Sequence, residues 1–110
     1  MYVMKLDSEG EIVAQVRYPA TSYEWVEYII EDREGNIVIV TADDLPPNSK
    51  GGTILTKFSP DLELLVRKAY TLDNYFYSSK IISLSDGGYL VSGEAQDPTT
   101  GIYYALMIKF

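Results

Sequence analysis

Asn36-Ile-Val-Ile-Val40 decides the fold. Four β-branched residues in a row, directly after a Gly-Asn pair, read as a strand. Successive side chains of a strand point to opposite faces, so this run places apolar groups on both sides of its sheet. Both sides must then be covered, because a sheet with one wet face shows polar residues at alternate positions.

Working outward, Asp32-Arg-Glu-Gly-Asn36 precedes this run as a hairpin turn, with Gly35 supplying positive φ; Asp7-Ser-Glu-Gly10 and Asp86-Gly-Gly88 read the same way. The β-rich runs between turns are Tyr2 to Leu6, Glu11 to Tyr18, Trp25 to Glu31, Asn36 to Thr41, Thr53 to Ser59, Glu63 to Tyr70, Tyr77 to Leu84, Tyr89 to Gly93 and Tyr104 to Phe110. No sustained 3.6-residue period competes with them. The one rival is Leu62 to Ala69, where Leu64, Leu65 and Lys68 would share a short helix.

The first strand, Met1-Tyr-Val-Met-Lys-Leu6, returns as Thr53-Ile-Leu-Thr-Lys-Phe58 and again as Ala105-Leu-Met-Ile-Lys-Phe110. At an offset of 52 and without a gap, identical pairs are Lys5/Lys57, Glu11/Glu63, Tyr18/Tyr70, Tyr23/Tyr75, Ile29/Ile81, Ile30/Ile82, Gly35/Gly87, Pro46/Pro98, Lys57/Lys109 and Phe58/Phe110. The chain is thus one segment, 1–110, made of a unit at 1–52, a second at 53–104 and the start of a third at 105–110. Four strands per unit, covered on both faces by neighbours, predict an all-β fold of antiparallel four-stranded β-propeller blades, about two of them. Propellers take about four to eight blades, so two do not close a ring. Self-association or the remainder of a larger propeller is expected to supply the rest.

Val3-Met-Lys-Leu-Asp7 with Gly10, and Ile81-Ile-Ser-Leu-Ser-Asp-Gly-Gly-Tyr-Leu-Val91 with Gly93, resemble the kelch-like propeller repeats of bacterial surface and secreted proteins. The first unit departs from that pattern at Glu34-Gly35-Asn36 and has Thr41 where the second has Gly93. The resemblance implies that Trp25 to Glu31 and Tyr77 to Leu84 are innermost strands, that Glu11 to Tyr18 and Glu63 to Tyr70 are outermost, and that the setting is extracellular or the cell envelope. It is specific for architecture, since such folds host binders, scaffolds and enzymes alike.

Composition narrows the chemistry. With 46% apolar and 23% charged residues over 110 positions, the chain has the make-up of one globular domain. A net charge of −7 sets it against phosphate backbones, so nucleic acid is not an expected partner. Neither Cys nor His occurs, which removes thiolate nucleophiles, disulfides and imidazole bases or ligands. No apolar run of membrane-spanning length is present, and no membrane insertion is expected.

Ten tyrosines draw attention to the entrances of the inner strands. Tyr23 and Trp25 in the first unit match Tyr75 and Tyr77 in the second, and as platforms they suit a sugar or a peptide; packing between blades is the plainer role. The longest loops, Ala42 to Gly52 and Glu94 to Tyr103, carry Asp43, Asp44 and Asp97. Their spacing is not that of a calcium loop, so no metal or other cofactor is expected. Lys5, Lys57 and Lys109 recur at one strand position and are expected to pair with nearby carboxylates. The leading expectation is a non-catalytic segment that binds protein or glycan or serves as a scaffold. Its rival is a piece of an extracellular carbohydrate-active enzyme, for which Glu24, Glu27, Asp32 and Glu94 are the available carboxylates.

Overall fold

The computed structural model describes residues 1–19, 23–44, 52–71 and 75–110. The described residues form nine strands and no helix: β1 (Tyr2–Leu6), β2 (Ile12–Arg17), β3 (Tyr23–Glu31), β4 (Ile37–Asp44), β5 (Gly52–Phe58), β6 (Leu64–Thr71), β7 (Tyr75–Ser83), β8 (Tyr89–Gln96) and β9 (Tyr103–Lys109). They make three antiparallel sheets: the hairpin β1-β2, a central sheet β3-β4-β5-β6, and a C-terminal sheet β7-β8-β9. The helical alternative for Leu62 to Ala69 is not realised, because β6 pairs with β5 from Gly52↔Thr71 to Phe58↔Leu64.

Four strands run two or three residues further than the sequence predicts. β4 continues through Asp44 and β8 through Gln96, and Tyr23 and Tyr75 open their strands instead of lying in the preceding loops. The physical reason is ladder bonding on both sides: Asp43 lies opposite Glu24 on β3 and Gly52 on β5, so its backbone is held whatever its low strand propensity. β3 and β7 start and end 52 residues apart (23 and 75, 31 and 83), as do β4 and β8 (37 and 89, 44 and 96). Their bulges repeat at the same interval, between Val26 and Tyr28 and between Ser78 and Lys80.

The consecutive apolar run finds its two covers. Val38 and Val40, with Leu55 of β5, pack against Phe76, Ile81, Tyr89, Val91, Ala95 and Ile108 of the C-terminal sheet. Ile39 and Phe58 turn the other way, onto Val3 of the hairpin and Leu62, with Met1, Ala14, Val16 and Ile37 around them. The central sheet is therefore the middle layer of three stacked sheets. Each fully buried Val or Phe side chain contributes roughly 1.5–3 kcal/mol here, so the two interfaces supply much of the stability. β7 lies across β3, β4 and β5, fixing the C-terminal sheet over the inner part of the central one. The described residues do not close a ring.

The turns after β1, β3 and β5 follow one scheme. The carboxylate Oδ1 of Asp7 accepts the Glu9 and Glu11 N–H groups, Asp32 accepts those of Glu34 and Asn36, and the Ser59 hydroxyl accepts those of Asp61 and Glu63. A short side-chain acceptor two residues ahead of the bend mimics a backbone turn and pins the hairpin register. All these turns lie at one end of the stack; Tyr23, Asp44, Tyr75 and Gln96 mark the other.

Candidate functional site

The end of the stack where β3 and β7 begin and β4 and β8 finish gathers most of the residues singled out from the sequence. Tyr23 opens β3 opposite Asp44, and Trp25 stands opposite Ala42, both on the side of the central sheet that faces the C-terminal sheet. Tyr75 and Tyr77 hold the equivalent places opposite Gln96 and Glu94. Tyr77 points away from the central sheet, since its neighbours in the strand, Phe76 and Ser78, are buried against it. Tyr23 is 82% exposed, Trp25 46% and Tyr77 47%. The result is a series of aromatic side chains, one set per sheet, on equivalent faces separated by the stacking distance of about 10 Å.

The carboxylates behave differently. Asp97 begins the turn after β8 and accepts the N–H groups of Thr99 (2.7 Å) and Thr100 (3.1 Å). Those bonds, Thr100 first, hold its carboxyl below the ordinary value. Its Oδ1 is thus committed to the loop's shape. Asp43 and Asp44 end β4 at the same rim; their side chains, like that of Tyr75, lie outside the described residues, as do residues 45–51.

At the opposite end sits a network of which sequence reasoning saw the lysine and the carboxylate separately. Asp32, 7% exposed at its side chain, accepts bonds from Tyr89 Oη (2.6 Å), Asn36 Nδ2 (3.0 Å) and Lys57 Nζ (3.0 Å). Lys57 also reaches Glu34 at 3.7 Å and lies 5.6 Å from the centre of the Tyr89 ring. Tyr89 belongs to the C-terminal sheet and the others to the central one, so the network ties two layers together. Burial pushes the Asp32 carboxyl up, but the bonds from Tyr89, Asn36 and Lys57 outweigh it and leave the group well below the ordinary 3.8. Interaction with Tyr89, then with Asp32, keeps the Lys57 ammonium above its ordinary 10.5 against the effect of burial. Burial, then the bond to Asp32, raises the Tyr89 phenol.

A cleft of about 310 Å³ opens beside this network, lined also by Ser83, Asp86 and Gly87. Its three central groups are a fixed anion, a fixed cation and a neutral phenol at neutral pH. None of them sits near the pKa that proton transfer at pH 7 requires, so the arrangement holds charge and shape instead of moving protons. The recurring lysines meet the expectation of pairing at two of three positions: Lys57 with Asp32, and Lys109 with Asp86 at 2.5 Å. Lys5 instead donates to the Pro60 carbonyl at 2.9 Å.

A second cross-strand pair was not foreseen. Arg67 of β6 donates to Glu24 Oε1 of β3 at 2.6 Å and to Thr56 Oγ1 at 3.0 Å, and its guanidinium lies 5.0 Å from the centre of the Tyr18 ring. The two ends of the pair are 43 residues apart in the chain, and no local spacing announces it. Among the described residues no group of three or more carboxylates is placed to hold a metal ion, and no helix is long and apolar enough to cross a membrane. Compared with protein-family models, with curated proteins and with solved structures, the chain matches none.

Proposed function

We propose that the chain is a non-catalytic segment of kelch-like β-propeller, about two blades long, that binds an extended protein or glycan ligand along its aromatic rim. The carrying observation is same-sense stacking: the hairpin covers one face of the central sheet and the C-terminal sheet the other, with equivalent strands 52 residues apart. That is how successive blades bury their faces around an axis. Tyr23, Trp25 and Tyr77 support the choice of ligand surface, because large aromatics left exposed at the same end of stacked sheets offer apolar platforms at regular intervals. A ligand that runs from sheet to sheet uses more than one platform. Asp97, Asp43 and Asp44 belong to the surrounding rim, the first by shaping its loop. The setting outside the cytoplasm rests on the resemblance alone.

Screening on an array of glycans and extended peptides tests this reading. Trp25→Ala and Tyr77→Ala are each expected to weaken a captured ligand by about tenfold, roughly 1.4 kcal/mol, without loss of fold. A ligand indifferent to both changes sinks the rim as a binding site. Turnover of a chromogenic glycoside that disappears on changing one carboxylate would favour the enzyme instead.

A further inference from the structure

The stack leaves one face open on each side, and the two differ in kind. On the hairpin side, Ile39 and Phe58 are buried, but Val26 and Ile29 of β3 share that face and remain more than half exposed. The hairpin supplies equivalents of β5 and β6 only; on that side Arg67 covers Glu24 near the start of β3, and Val26 and Ile29 stay open. On the far side of the C-terminal sheet, Tyr77 and Ile82 of β7 and Met107 of β9 are exposed, on the face opposite buried Ile81 and Val91. That face corresponds, 52 residues on, to the face of the central sheet that carries Val38, Val40 and Leu55.

We infer that these are the two halves of one interface between copies of this chain: the outer face of the C-terminal sheet of one copy docks on the uncovered face of β3 in a second, beside its hairpin. The contact repeats between molecules what β7 already does across β3 within one. Charge agrees with this partner. Glu31 shares the uncovered face of β3, and exposed Lys80 lies opposite Ser92 on the outer face of the C-terminal sheet. In a chain with nine cationic and sixteen acidic side chains, a lysine on one half and a glutamate on the other favour this pairing over a like-with-like one. The halves are different surfaces, so the association is head-to-tail. β1 and the incoming β9 are equivalent strands competing for one place in the composite layer, which limits how tightly the copies join. The inference rests on the stacking in the reading above and not on any ligand at the rim.

Light scattering and sedimentation across about 1 μM to about 1 mM, the range of weak to moderate association, test it. The unmodified chain is expected to exceed 12.4 kDa at the upper end. Ile29→Arg and Ile82→Arg, both at exposed positions, are each expected to remain at monomer mass with an unchanged β-sheet spectrum. Mixed in equal amounts they are expected to form a heterodimer, because one variant keeps an intact β3 face and the other an intact C-terminal face. Lys80→Glu, which does not alter apolar packing, is expected to weaken self-association at least tenfold. A chain that stays monomeric throughout, a single variant that associates like the unmodified chain, or a mixture that does not associate would each overturn the proposal. Ligand capture at the rim by a monomeric chain would leave the functional reading standing.

Discussion

Leu62 has a φ of 64°, at the place in its turn where Gly10, Gly35 and Gly87 stand in theirs. A side chain there costs roughly 1–2 kcal/mol of backbone strain. The compensation is burial: Leu62 is 5% exposed and joins Val3, Ile39 and Phe58 beneath the hairpin. Leu62→Gly therefore relieves strain but opens that cluster, where losing a buried leucine side chain costs about 2–5 kcal/mol. The net expectation is a loss of roughly 1–3 kcal/mol in chemical denaturation; a stabilised variant would show that strain dominates. Gly93 makes the opposite case. A Cβ there would fall 2.1 Å from the Tyr77 carbonyl oxygen and 2.8 Å from the Phe76 ring. Gly93→Ala is expected to destabilise by about 2–4 kcal/mol, since backbone and a buried ring must both move. Thr41, the counterpart of Gly93 in the central sheet, is fully buried with its hydroxyl unpaired, so the repeat position does not by itself demand glycine; the close Tyr77 carbonyl and Phe76 ring in the C-terminal sheet do.

Between elements, the bridge from Asp32 to Lys57 and Tyr89 sets how the stack responds to pH. Asp32 has a folded pKa below its unfolded one, so its contribution is fully present above about 3.8 and is lost as pH falls further through the folded value. Lys57 is raised, so its contribution holds below about 10.5 and is lost as pH rises through its folded value; Tyr89, also raised, loses its contribution above about 10.0. Denaturant midpoints are expected to form a plateau from about pH 4 to about pH 10. Tyr89→Phe, which removes one bond to a buried carboxylate, is expected to cost about 1.5–3 kcal/mol on the plateau and to soften the acid fall. An unchanged acid limb in that variant would place the acid sensitivity elsewhere. The bridge also shows where reading the sequence stops. Ile37 to Val40 announced a covered sheet because the period of a strand is local, and Asp-Gly turns announced their bends for the same reason. Lys57 was legible as a recurring residue, but Tyr89 stands where the first unit has Ile37, so no repeat signal marked the phenol. Glu24 and Arg67 meet because both stand on one face of the sheet and their long side chains reach across β4 and β5, a relation set by strand order. Asp43 and Glu94 looked like loop residues because strand propensity weighs a residue alone, whereas ladder bonds to both neighbours decided the matter.

Across the whole molecule, stacking without closure leaves a slab of 50 × 32 × 23 Å with a radius of gyration of 15.0 Å, larger than the roughly 13 Å of a compact domain this long. Stability cannot be uniform in such a slab. β4 and β5 are covered on both faces, whereas the hairpin is held by the cluster around Val3 and the bond from Lys5 to the Pro60 carbonyl. A two-stranded hairpin is marginal in water by itself, so once that cluster opens β1 and β2 have little left to keep them paired. Native-state hydrogen exchange is expected to rank the amides accordingly, slowest in β4 and β5, with the hairpin opening at a free energy at least about 2 kcal/mol below global unfolding. Val3→Ala removes the hairpin's main anchor and is expected to speed exchange in β1 and β2 while leaving β8 unaffected, because Val91 and Ala95 belong to the other interface. If the hairpin amides exchange as slowly as those of β4, or if Val3→Ala accelerates all three sheets together, the layers unfold as one cooperative unit and the stack is not the modular structure that its two separate clusters imply.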